Sequence, residues 1–109
     1  MMILQKHLKV EVFIPKEYVV KVANALNERD ILKEGHYDYV FALSEVRGHF
    51  RPIEGANPFN GEIGVVSELD EVKMEFRIRE NDLADVKRII ELNHPYEEPV
   101  VNVYELIDL

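Results

Sequence analysis

No cysteine occurs among the 109 residues. Disulfides, thiolate catalysis and cysteine-based zinc sites are therefore excluded. Threonine is absent, and Ser44 and Ser67 are the only serines. Neither lies in a nucleophile elbow, which leaves nucleophilic catalysis little support. No apolar run approaches the ~20 residues that span a bilayer. Lys6, His7 and Lys9 interrupt the segment from Met1 to Val10, which reads as neither signal peptide nor membrane anchor; the expected location is cytoplasmic. Basic residues are few, 13 against 21 acidic ones, for a formal charge of −8. Binding to nucleic acid or to an anionic membrane depends on clustered Lys and Arg, so neither partner is expected. There is no Walker pattern and no GxGxxG after a strand, so a nucleotide is not indicated. In so acidic a chain, paired carboxylates alone say nothing about acid–base chemistry.

What is present suffices for one domain, residues 1–109, with a modest core. The chain also repeats itself. Shifted by 64 residues, Val10, Val12 and Ile14 fall on Met74, Phe76 and Ile78, and Val19, Val22 and Leu26 fall on Leu83, Val86 and Ile90. The first part of each copy alternates apolar and polar, as a half-buried strand does. The second part has helical spacing. Pro15 closes the first strand, Asn81 is the expected N-cap of the second helix, and Gly35 and Pro95 mark where the chain leaves the helices. A further strand follows each helix: His36 to Ser44, with Tyr37, Tyr39, Phe41 and Leu43 alternating, and Val100 to Leu106. The order β-α-β, a long excursion and β-α-β predicts an α+β ferredoxin-like sandwich. Its antiparallel sheet carries both helices on one face. The other face carries Lys9, Glu11, Phe13, Glu75 and Arg77.

Two segments stand outside this frame. Gly48 to Gly64 is too rich in glycine and proline for a helix or a central strand, and too apolar for a disordered linker. It reads as a long ordered loop at about 47–66, of the kind that is usually functional or interface-forming. Near the C-terminus stands His94-Pro95-Tyr96-Glu97-Glu98-Pro99.

With Gly35-His36-Tyr37-Asp38, Phe50-Arg51-Pro52, Glu54-Gly55-Ala56-Asn57-Pro58-Phe59 and Gly61-Glu62-Ile63-Gly64, these motifs occur in one family's order and cover nearly the whole chain. The sequence resembles the CutA-like (PII-like) domain inserted in YqfO-type proteins of the Ngg-interacting-factor family. Full-length members carry a two-metal site in a larger fold, for which 109 residues leave no room. The resemblance thus implies a free-standing insert domain without those metal ligands. By analogy with CutA and PII relatives it also implies a homotrimer.

Three clusters are candidates for chemistry. His94 with Glu97 and Glu98 offers nitrogen and oxygen ligands for a divalent metal, and CutA proteins, linked with divalent copper, carry a similar segment. The competing reading is structural, with Pro95 ending the helix and Pro99 guarding an edge strand. His36 and Asp38 sit at i and i+2 on the expected second strand. Past a turn expected at Glu45 to Gly48, His49 and Arg51 are placed to join them, against a plain polar strand face or an intersubunit network. In the long loop, His49, Phe50, Arg51, Pro52, Glu54, Gly55, Asn57, Pro58 and Phe59 form either a ligand cradle or an interface. Backbone N–H groups serve the first, and Phe50, Phe59 and Ile63 packing into a neighbouring subunit serve the second. The leading expectation is a non-catalytic oligomeric binding or regulatory module, possible protein partner included. The alternative is a divalent-metal-binding protein using His94, Glu97 and His36 or His49. An enzyme with a site between subunits is a third reading that no spacing asks for.

Overall fold

The computed structural model describes residues 6–109. Strand β1 (His7–Ile14) buries Leu8, Val10, Val12 and Ile14 on one face. Pro15 follows, and a 3-10 turn (Lys16–Tyr18) leads into helix α1 (Val19–Asn27). Helix α1 turns Val19, Val22, Ala23 and Leu26 inward. Strands β2 (Ala42–Phe50) and β3 (Ser67–Arg79) form a long antiparallel pair. A second 3-10 turn (Glu80–Asp82), helix α2 (Leu83–Asn93) and strand β4 (Val101–Glu105) complete the chain. The two 3-10 turns lie at the same 64-residue offset as the apolar repeat, so the duplication holds for the connections as well as the elements.

The sheet order is β2-β3-β1-β4, with every neighbouring pair antiparallel. The two repeat strands lie side by side at its centre, Val10 opposite Phe76 and Val12 opposite Met74. Period-two alternation sends Val72, Met74, Phe76 and Ile78 to the same face as the apolar residues of β1. Both helices cover that face and close one core with Val86, Ile89 and Ile90 of α2. This is the ferredoxin-like α+β sandwich that the repeat predicts. Ile89 takes the inward place expected of Leu83, which stays at the rim.

The opposite face is polar and ordered. Glu11, only 8% exposed, accepts a hydrogen bond from the Tyr104 hydroxyl at 3.0 Å. It also lies within 3.7 Å of both Lys9 and Lys73, which reach Glu75 as well. Burial alone raises the Glu11 carboxyl. The tyrosine bond and the two ammonium groups outweigh it and hold the carboxyl below the usual carboxylate range.

Four expectations are corrected: the second strand's bounds, the turn after it, the end of the first helix and the N-cap of the second. The second strand does not run from His36 to Ser44; β2 begins at Ala42 and passes straight through the expected turn at Glu45 to Gly48. Of the alternating tyrosines before it, Tyr37 forms a backbone bridge with Glu34, and Tyr39 is held by side chains of α1. Asn27 Oδ1 accepts from the Tyr39 amide, Asn27 Nδ2 donates to Asp38, and the Tyr39 hydroxyl donates to Asn24. These bonds hold Tyr39 at φ 51°, in the left-handed region. Helix α1 accordingly ends at Asn27, well before Gly35. The N-cap of α2 is Asp82 rather than Asn81, which falls inside the 3-10 turn.

Candidate functional site

The pair β2–β3 outruns the helices, and the 51–66 loop joining the two strands folds back toward the body. The loop expected at about 47–66 begins only at 51, because Arg47, Gly48, His49 and Phe50 pair with β3 as part of β2. The loop closes on the segment after α2. The Asn57 amide donates to Glu97 Oε1 at 3.0 Å. The Phe59 ring meets Tyr18 edge-on at 6.0 Å and Tyr96 at 6.2 Å between centroids. Two segments that sequence reading treats separately thus form the walls of one cleft of about 490 Å³. Phe13, Phe50, Pro52, Phe59, Tyr96 and Val100 supply its apolar surface, and Arg51, Glu71, Glu97 and Glu98 its charges.

His94 fixes the floor. It is buried, at 8% exposure. Its Nε2–H donates to the Phe13 carbonyl at the end of β1, at 2.7 Å, and its Nδ1 accepts the Tyr96 amide at 3.1 Å. The neutral Nε2–H tautomer satisfies both bonds. A proton on Nδ1 would confront the Tyr96 N–H. Burial pushes the imidazole pKa below its ordinary 6.5, against smaller opposing effects of the Phe13 bond and of Glu71.

Tyr96 packs its ring against His94 in a tilted contact at 4.8 Å between centroids and donates its hydroxyl to Glu71 Oε2 at 2.6 Å. Burial and this carboxylate both hold the phenol proton firmly, raising its pKa. Glu71 pairs with Val46 of β2, and its side chain reaches along the ladder to lie over Gly48. A Cβ there would stand 1.9 Å from Glu71 Oε1, so this glycine serves a close side-chain approach inside a strand. Gly48→Ala is expected to expel the Glu71 carboxylate and leave the Tyr96 hydroxyl without its acceptor, lowering stability by about 1–2 kcal/mol. Chemical denaturation and the Tyr96 ring resonances check this; an unshifted Tyr96 spectrum would contradict the placement of Glu71.

The structure distributes the other candidate residues as follows. His36 is exposed in the segment before β2, and Asp38 is tied to Asn27. They do not share a strand face with His49, which pairs with Glu68 at 3.0 Å beside Arg47. His94, Glu97 and His36 do not converge. Among the described residues no three His, Asp or Glu side chains are placed to hold a metal ion. Arg51 is exposed at the cleft, and Glu54 and Gly55 are exposed beyond it, with Gly55 at φ 98° in the loop's own turn. Sequence reading missed Phe13, Tyr18 and Glu71. The last has no local signal, because its place depends on β2–β3 register and on a glycine across the ladder.

No family model matches the sequence. Among curated proteins, the chain is 42% identical over 100 residues to a GTP cyclohydrolase 1 type 2 homolog of Staphylococcus epidermidis, covering 92% of this chain and 27% of that protein. The corresponding Staphylococcus aureus protein is 39% identical over the same share of each. The chain therefore spans about a quarter of the length of the curated relatives it matches. Among solved structures, the Bacillus cereus protein related to NIF3 superposes with a TM-score of 0.83 at 29% identity, over 98% of this chain and 27% of that one. The divalent ion tolerance protein CutA1 of Ehrlichia chaffeensis superposes with a TM-score of 0.72 at 12% identity, over 98% of this chain and 87% of that one. This last likeness is one of fold.

Proposed function

We propose that the chain is a non-catalytic, oligomeric binding or regulatory domain of the kind inserted in YqfO-type proteins of the NIF3 family, with the cleft between the 51–66 loop and the 94–99 turn as its site. The observation that carries this reading is the closure of both motifs on one cleft, through Asn57–Glu97 and Phe59–Tyr96. Concave, mostly apolar sites with a few convergent polar groups are where small ligands bind. The similarity over 92% of the chain to NIF3-type relatives supports the family. The catalytic name of those relatives is not carried over, because this segment is 27% of their length.

Two features support assembly. The open sheet face carries a buried, ion-paired Glu11, and the return limb of the loop exposes Ile63, Val65 and Val66 together, an apolar stretch that suits a subunit contact. The family analogy makes the assembly a trimer. Sedimentation at micromolar concentration is expected to give a trimer mass, and a monomer there would contradict the oligomeric reading. The divalent-metal alternative is not adopted: to coordinate, His94 must give up either Phe13 or Tyr96, and both bonds hold the floor of the cleft.

A further inference from the structure

We propose that the cleft selects a small organic cation with a flat apolar body, an aryl amidine or aryl amine in type; the inference rests on the cleft being the binding site. Three observations carry it. First, the walls are aromatic on several sides, with Phe13, Phe50, Phe59 and Tyr96 lining the space. Ring faces attract cations as well as flat apolar groups. Second, the charges in the lining are unbalanced. Glu71, Glu97 and Glu98 stand against Arg51 alone among the permanently charged residues, in a chain whose formal charge is −8. Electrostatic complementarity of this sign favours cations and rejects anions. Third, Glu71 is preorganised. Its Oε2 is held by the Tyr96 hydroxyl at 2.6 Å and its Oε1 rests over Gly48, where no side chain competes for the space. Both bonds that fix the carboxylates of Glu71 and Glu97 come from neutral donors, a phenol and an amide. Neither negative charge is cancelled by its partner, and each carboxylate keeps lone pairs for a ligand N–H.

About 490 Å³ fits a ring-sized ligand with a short polar head. With the ring laid against the cleft side of Phe59 and Tyr96, whose own contact it leaves in place, an amidinium points toward Glu71. Arg51 opposes the same cation from the rim, so its removal improves the site.

The test is an amide-resolved NMR titration of the whole chain near neutral pH with benzamidine, its neutral isostere benzamide and the anion benzoate. Benzamidine is expected to shift cleft amides such as Gly48, Asn57 and Phe59 saturably, with a dissociation constant on the order of 1 mM. Glu71→Gln, which keeps an acceptor for Tyr96, is expected to weaken it about tenfold. Arg51→Ala is expected to tighten it severalfold, a gain that misfolding cannot mimic. Benzamide or benzoate binding as well as benzamidine overturns the cation preference and leaves the cleft standing as a ligand site. No saturable shift at the cleft from any of the three overturns both, while assembly is decided separately by sedimentation.

Discussion

Replacing His94 by alanine is expected to destabilise the chain by about 2–4 kcal/mol and to open the cleft. The magnitude follows from the bonds lost. The buried imidazole bridges the Phe13 carbonyl and the Tyr96 amide, and removing it strands two backbone groups, each at a cost of about 1–3 kcal/mol when water cannot reach it. The aromatic contact with Tyr96 goes as well. The same site imposes a pH dependence. Because the folded imidazole has a pKa below its ordinary 6.5, the unfolded chain binds the proton more readily. Above pH 6.5 both states are neutral there and the contribution is constant. As the pH falls below 6.5 the unfolded state takes up the proton first, and stability declines until the folded imidazole titrates too. His94→Gln, which retains a donor for Phe13 but cannot titrate, is expected to remove that part of the decline. Urea unfolding of the three proteins across this range is the measurement. A His94→Ala protein as stable as the parent would show that the ring does not hold the turn.

Leu26→Ala is expected to cost about 2–5 kcal/mol, the range for truncating a fully buried leucine. Leu26 has no exposed surface and sits in the core that α1 and α2 close over β1 and β3. For a domain of this size that is a fall of roughly 10–20 °C in melting temperature. Calorimetry checks it. A cost below about 1 kcal/mol would mean that α1 does not pack on the sheet in this register.

The two substitutions fall on parts of the molecule that the sequence reveals unequally. The core is legible because it is built twice: Val10, Val12 and Ile14 alternate as a strand must, their counterparts 64 residues later do the same, and each set precedes a helical spacing. Strand β2 is less legible. Tyr37, Tyr39 and Phe41 imitate a strand, but Asn24 and Asn27 on α1 capture the segment by hydrogen bonds that no local pattern reveals. Gly48 suggests a turn, since glycine usually punctuates, whereas here it makes room for a carboxylate from the next strand. The cleft is half legible. Both of its motifs stand out by composition, but their meeting rests on one amide bond to Glu97 and one ring contact to Tyr96, which are tertiary facts. His94 shows the ambiguity of residue type: a histidine beside two glutamates suits a metal, and the structure spends both ring nitrogens on the backbone.

The loop and the turn form one cleft within a single subunit. The most direct test of this is the nuclear Overhauser contact between the Phe59 and Tyr96 rings, recorded on a sample mixed from isotope-labelled and unlabelled chains. The expected result is a contact within labelled chains and none between labelled and unlabelled ones. A contact seen only between chains, or a Phe59 ring with no contact to Tyr96 at all, would contradict it and return the loop to the role of a subunit interface.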